Sequence, residues 1–515
     1  MGILAVYDTV GIQSYIFASN KLAENVGGSK LVADIFGTYL PEIVKKVAGQ
    51  ELPDWRKSGR LNPALKAEII YQGGGNAFVA FADDDTLQAV TKEFLTRVAE
   101  MAPGVGVAVA AIETEFGDTY GADFDRLNKR LTLVKGGFNT AVFAGNQPIT
   151  KQSGRTGLPV SIIENNEYLT ESQSKKRKRY AVYKRETAKI RGFKSSVENF
   201  EDLGLSKGED SLIAIIHADG NNMGKRIKKF MENFATYAEA VPKIRKLSRA
   251  INECYQNARD NTIAAFNTEY SYWWAQRKEK YPNKMEPPIM ELIGDGDDTT
   301  LVISGRFAID FAARLLREIE TQPDPFGEGA APTACAGVVL FHSHYPFSEA
   351  YKLTEELCGS AKKLSRESEG SYIDFHLHQS GNVATLHDLR ERQYKVDGKS
   401  ILRRPWRASN GQEGKLPSFK WFEENIGRVS KLPRNKTKAM RNAIGAGEHA
   451  AEIAENGMRG DKLPEFPISP EDCMSKYAAL FDILEVYDTY ENLLNFSSPA
   501  NPDSPGERED GANAW

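Results

Sequence analysis

The sequence predicts an α+β protein built from two ferredoxin-like βαββαβ units followed by a C-terminal helical domain. Three observations carry this. An apolar run ending in aspartate opens both halves, GILAVYD at residues 2–8 and SLIAIIHAD at 211–219, and each leads into a helix-like stretch. In both halves two β-rich runs then flank a glycine turn, YQGGGNAFVAF at 71–81 and MELIGDGDDTTLVIS at 290–304, the pattern of a hairpin. Beyond about residue 415, apolar residues recur at helical spacing.

The remaining elements follow in the same order in each half. In the first, DDTLQAVTKEFLTRVAEM has helical spacing, VGVAVAAIE reads as a buried strand, and YGADFDRLNKRLTLVKGG is a second helix. In the second, RFAIDFAARLLREIE, TACAGVVLF and SEAYKLTEELCGSAKKLSRE repeat helix, strand and helix. The expected domains are 1–150, a basic linker at 151–207, a second unit at 208–400, a helical domain at 401–498 and a disordered tail at 499–515. The tail is rich in Pro, Ser, Gly and Asn.

Composition narrows the class. The 515 residues leave room for several domains, and 66 basic against 70 acidic residues give a net charge of −4, so any nucleic-acid binding must be local. The basic run Lys175, Lys176, Arg177, Lys178 and Arg179, interleaved downstream with Tyr180, Tyr183 and Phe193, has the makings of such a surface. The alternative is a solvated charged linker. Four scattered cysteines form no CxxC pair, which argues against a zinc knuckle and a disulfide framework. No apolar run approaches the roughly 18 residues of a membrane span. A cytoplasmic setting without membrane partners is the expectation.

The chemistry concentrates in the second hairpin. Asp297 and Asp298 lie on its turn, and Asp219 ends the strand expected beside it, which places three carboxylates at one sheet end. Such crowding is tolerated best around a cation. Hard oxygen ligands suit Mg²⁺ or Mn²⁺, and two such ions can activate a hydroxyl and stabilise a leaving pyrophosphate. Gly296 permits a tight turn and close approach of a phosphate. Lys362 in GSAKK, and less directly Lys225 after DGNNMG, would add positive charge for a triphosphate. His217 reads as a packed histidine rather than a ligand. The bland alternative for the turn is a solvated hairpin loop. His387 and Asp388 in LHDL lack the second His/Asp pair that a metal nuclease needs.

Taken together, GIQSYIFASNKLAENVGGSKLV, YQGGGNAFVAF, QSGRTGLPV, HADGNNMG, GDGDD and AGVVLFHSHYPFSEAYKLTEELCGSAKK resemble the large polymerase/cyclase subunit of type III CRISPR effector complexes. The resemblance covers roughly residues 1–410. It implies two palm domains related to GGDEF cyclases and nucleotide polymerases, and conversion of ATP to cyclic oligoadenylates by 3′-hydroxyl attack on an α-phosphate in antiviral defence. It implies metal ligation by Asp219, Asp297 and Asp298, with Gly296 forming the close turn. Asp295 replaces the family's first glycine and stands as an added ligand or a change in nucleotide approach. Gly73-Gly74-Gly75-Asn76 takes the place of the acidic turn in the first palm, so Gly74 and Gly75 are expected to serve nucleotide binding without catalysis. Ser29 in VGGS is either a contact to the acceptor nucleotide or a helix cap. The family's larger members carry an HD nuclease and a four-cysteine zinc site, and neither is expected here.

Three functions remain open on the sequence: a Mg²⁺- or Mn²⁺-dependent oligoadenylate cyclase, an inactive palm scaffold, or a cyclase using another nucleotide such as GTP. Candidate partners are ATP, RNA, effector-complex subunits and a second copy of the chain.

Overall fold

The computed structural model describes residues 2–52, 54–137, 150–154, 156–191, 197–206, 211–379, 384–409, 418–458, 463, 473–474 and 477–493, and for 188–191 and 295 the backbone alone. The tail at 499–515 lies outside the described residues.

The first palm runs β1 (Gly2–Val10), α1 (Ile12–Ile16), α2 (Leu22–Asp34), α3 (Leu40–Ala48), β2 (Ala67–Gly73), β3 (Asn76–Phe81), α4 (Asp84–Met101), β4 (Gly106–Thr114) and α5 (Tyr120–Gly136). Its sheet order is β2-β3-β1-β4, antiparallel throughout, the expected ferredoxin-like arrangement. Both faces of β1 are buried: Ala5 and Tyr7 enter one core and Leu4 and Val6 another. That explains a near-continuous apolar run rather than strict alternation. Asp83 starts α4 by accepting a hydrogen bond from the Thr86 amide at 2.7 Å.

The segment expected to be a linker is folded. It forms a hairpin, β5 (Ile162–Glu164) and β6 (Glu167–Leu169), and then α6 (Glu171–Arg191), which packs along α2. Three charges of the basic run are met by acids from elsewhere in the first half of the chain. Arg177 pairs with Glu24 at 2.9 Å and with Glu167, Lys178 with Glu164 at 2.9 Å, and Arg179 with Asp34 at 2.6 Å. Lys176 is buried, donates to the Tyr15 carbonyl and sits 4.0 Å from the Tyr15 ring centroid. The run is therefore a docking stripe for α2 rather than an open basic surface.

The second palm comprises β7 (Leu212–Gly220), α7 (Met223–Glu232), α8 (Tyr237–Arg277), β8 (Ile289–Asp295), β9 (Asp298–Ser304), α9 (Ala308–Thr321), β10 (Ala334–His342) and α10 (Phe347–Glu367). Its strands follow the order β10-β7-β9-β8, again ferredoxin-like. The sheet then extends past β10 by β11 (Tyr372–Leu377), which runs parallel to it. After α11 (Leu386–Gln393) and a small hairpin, β12 (Lys395–Val396) and β13 (Lys399–Ser400), β14 (Trp406–Arg407) completes six strands. The stretch just after residue 400, expected to open the helical domain, thus belongs to the sheet and core. Trp406 is fully buried and donates to Asp482 at 2.8 Å, while Arg404 reaches Glu485 at 2.5 Å. Asp482 and Glu485 come from α15 (Tyr477–Val486), which with α12 (Phe419–Val429), α13 (Arg434–Gly445) and α14 (Glu448–Asn456) forms the expected C-terminal helical region.

Alternation along β7 decides how the palms meet. Ile213 and Ile215 enter a core shared with first-palm Tyr7, Val26 and Phe36, whereas Ala214, Ile216 and Ala218 face α8 and α9. The 41-residue α8 serves both palms. Its start, Tyr237, Val241 and Ile244, covers the outer face of the first sheet against Leu4, Val6 and Leu127, and its later residues, through Trp273, pack on the second. Arg245 at the crossover is fully buried, bonding Glu68 at 2.8 Å and the Ile69 and Gly59 carbonyls at 2.9 and 2.7 Å. Among the described residues no helix is long and apolar enough to cross a membrane.

Candidate active site

The site is assembled by β-sheet register. Asp219, the penultimate residue of β7, lies directly across from Asp298, the first of β9, and Asp298 pairs in turn with Asp295 at the end of β8. Gly296 takes φ +58° between them, a left-handed conformation that glycine adopts without a Cβ penalty. Gly220 follows Asp219 for a different reason. A Cβ there would lie 2.6 Å from the Tyr255 hydroxyl and 2.9 Å from Asp297 Oδ2, so only glycine lets the turn close over the strand end.

Asp219 and Asp297 share a cavity of about 300 Å³ beside the first turn of α7. Lys225 of α7 and Lys362 and Arg366 of α10 line the same cavity. Lys362 is ion-paired with Asp219. Burial opposes the ammonium, yet the Asp219 carboxylate holds the Lys362 pKa above its ordinary value. Burial, with Asp219 and Asp298 alongside, pushes the Asp297 carboxyl up to about 7. A group so poised binds a proton where a divalent cation would serve better.

Asp298 faces elsewhere. Its Oδ1 is enclosed and stands 3.4 Å from Nδ1 of His217, which is itself 3.1 Å from Thr300 Oγ1. Burial disfavours the imidazolium, but the Asp298 carboxylate, with Asp219 and Glu355 beyond, raises the His217 pKa overall. Among the described residues no three acidic, histidine or cysteine side chains converge into a ready-made metal cage. The donor set nonetheless suits a hard cation that completes its shell with water and substrate phosphate. Two carboxylates line one cavity, and a third follows in sequence.

The other residues singled out in the sequence fall in different places. Gly74 and Gly75 form the equivalent turn of the first palm, at φ +60° and +78°, where Asp8 is across from Asn76. There Asp8 pairs with Lys135 of α5 at 2.7 Å. Ser29 lies inside α2, so it is no cap, and its buried hydroxyl donates to the Leu292 carbonyl on the strand leading into the acidic turn. The side chain of Asp295 lies outside the described residues. Lys175 to Arg179 are on α6 and do not line the cavity. Arg366 was missed by sequence reading, although it stands one helical turn after Lys362, a spacing that puts both on one face of α10.

Residues 212–369 match the family model Cas10/Cmr2, second palm domain. The second palm is Cas10-like. The match begins at the first residue of β7 and ends just after α10, so it takes in Asp219, the acidic turn, Lys362 and Arg366. Most of the chain also shares its fold with chains of solved Csm1-Csm4 structures. It is 15% identical to a chain of the Csm1-Csm4 subcomplex of the type III-A CRISPR-Csm interference complex, at a TM-score of 0.52, covering 96% of this chain and 70% of that one. Csm1-Csm4 cassettes in complex with one ATP and with cA3 align at 14% and 13% identity, each with a TM-score of 0.51 and covering 94% of this chain and 69% of the other. No curated protein matches the sequence.

Proposed function

We propose that this chain is a divalent-metal-dependent nucleotidyltransferase whose Cas10-like second palm joins ATP units into cyclic or linear oligoadenylates, as a subunit of a CRISPR-type effector assembly. The observation that carries the reading is Asp297, half-buried with Asp219 in a cavity edged by Lys225, Lys362 and Arg366, with Asp298 next to it. Solved relatives of the same fold hold one ATP and cA3, which supports adenine nucleotides as substrate and product class.

Asp219 and Asp297, with Asp298 beside them, would hold Mg²⁺ or Mn²⁺. Bound there, the metal would lower the pKa of an attacking ribose hydroxyl and neutralise charge on the leaving pyrophosphate. Lys225, Lys362 and Arg366 bind and orient the triphosphate from the α7 and α10 side, with Lys362 exchanging its Asp219 partner for phosphate oxygens. Gly296 leaves the turn bare, since a Cβ there would meet nothing within 4 Å, and substrate can approach the backbone closely. The first palm contributes its own glycine turn as the partner surface.

The test is incubation of the full chain with each ribonucleoside triphosphate and Mg²⁺ or Mn²⁺, with products identified by mass spectrometry. An oligoadenylate that disappears in Asp297→Ala/Asp298→Ala supports the reading, and a fully active double variant refutes it. Preference for GTP would reassign the base.

A further inference from the structure

The two oxygens of Asp298 have unlike surroundings, and this asymmetry points to a residue outside the cavity. Oδ1 is enclosed and has no hydrogen-bond partner of ordinary geometry, while the side chain as a whole is 36% exposed. The group facing Oδ1 is Nδ1 of His217, at 3.4 Å. Register explains the meeting: His217 pairs across the sheet with Thr300, and Asp298 with Asp219, so His217 and Asp298 are diagonal neighbours on one face. His217 is 6% exposed and held in place on two sides. Thr300 Oγ1 is 3.1 Å from its Nδ1, and the Tyr351 ring packs edge-on with centroids 5.9 Å apart. It does not line the cavity.

We propose that His217 is a positioning residue that fixes the rotation of the Asp298 carboxylate, engaging Oδ1 from inside the sheet so that the other oxygen is presented outward to a divalent cation. The inference rests on the metal-dependent reading of the second palm and adds a residue to it. A carboxylate with one oxygen enclosed and poorly paired pays a desolvation penalty, which it relieves by rotating, and rotation spoils it as a ligand. An imidazole wedged between Thr300 and Tyr351 removes that freedom. Hydrogen-bonded partners behind a ligand have this effect generally, and their loss typically weakens metal binding about 10- to 100-fold.

The experiment titrates the full-length chain with Mn²⁺ alone, without nucleotide, and reads free Mn²⁺ by electron paramagnetic resonance. Three variants separate hydrogen bonding from packing. His217→Asn places an amide nitrogen where Nδ1 stood, His217→Gln places one where Nε2 stood, and His217→Ala removes both. The expected result is an Mn²⁺ affinity lowered about 10- to 100-fold in Ala and Gln and largely retained in Asn. Circular dichroism establishes that each variant is folded. Should the Ala variant fail to fold, the contrast between Asn and Gln still decides. Equal losses in Asn and Gln, or wild-type affinity in the Ala or Gln variant, would overturn the proposal. If the wild-type chain binds Mn²⁺ no better than Asp297→Ala/Asp298→Ala, the metal reading itself fails, and with it the role of His217. If the wild type binds Mn²⁺ and the His217 variants match it, only the role of His217 fails.

Discussion

The two palms share a strand order and place an aspartate at the same end of the first strand, each paired with a lysine from the helix after the fourth strand. Asp8 with Lys135 and Asp219 with Lys362 are structural equivalents. What differs is the facing turn: Gly73-Gly74-Gly75-Asn76 in one palm, Asp295-Gly296-Asp297-Asp298 in the other. In the first palm a single carboxylate meets a single ammonium and the local charge closes. In the second, Asp297 and Asp298 are added, and burial, reinforced by the charges of Asp219 and Asp298, holds the Asp297 proton to about 7. The comparison teaches that the shared pair alone makes a neutral strand end, and that the surplus carboxylates are what create a demand for a cation.

The most severe way to test that contrast is at the register-matched positions across from each aspartate. Asp298→Ala should reduce oligonucleotide formation more than about 100-fold, beyond the loss typical of a partner behind a metal ligand. Asn76→Ala should leave turnover close to the wild type. Similar losses from both would mean that the first palm also takes part in the chemistry.

Next in size is the dependence of the first palm on a helix that belongs to the second. Arg245→Ala strands the buried Glu68 carboxylate without its partner. Unfolding in denaturant should then show a loss of about 3–5 kcal/mol, as breaking a buried ion pair from one side does.

A smaller effect concerns pH in the metal-free chain. The Asp297 carboxyl titrates near 3.8 when unfolded and at about 7 when folded. Between those values the folded chain carries the extra proton, so this group's stabilisation is complete below its unfolded pKa and is lost as pH rises through about 7. Thermal melts of Asp297→Asn should lack that fall, measured as the difference from wild type between about pH 4 and about pH 8. A parallel fall in both proteins would show that Asp297 is ionised in the apo site. Smallest is Lys135→Met. The pair it removes is partly exposed, so stability should change by at most about 1 kcal/mol, read from the denaturation midpoint.

The acidic turn, Asp219 and the two hairpins were legible because each is a local pattern: apolar runs, a glycine turn and an aspartate at a strand end. Lys362 was legible as a cation on the closing helix, and Arg366 would have been had the i,i+4 spacing been followed one turn further. The basic run from Lys175 to Arg179 was misjudged for a physical reason. Whether a charged stripe is solvated or satisfied depends on acids such as Glu24 and Asp34, brought to it only by tertiary packing. Ser29 illustrates the same limit, since its bond to Leu292 crosses from one palm to the other. Likewise the residues just after 400 read as part of the helical domain, because only tertiary packing brings Asp482 and Glu485 of α15 to receive Trp406 and Arg404.

The 41 residues of α8 make a rod roughly 60 Å long at 1.5 Å per residue. Because its opening turns roof the outer face of the first sheet, a fragment cut between the two palms would leave Leu4, Val6 and Leu127 bare to water. Such a fragment would be sticky and poorly soluble, and the intact chain is expected to melt in a single cooperative step across both palms rather than palm by palm. The same rod, packed on both sheets, holds the two glycine turns in one frame, a gauge against which any bound nucleotide pair is measured.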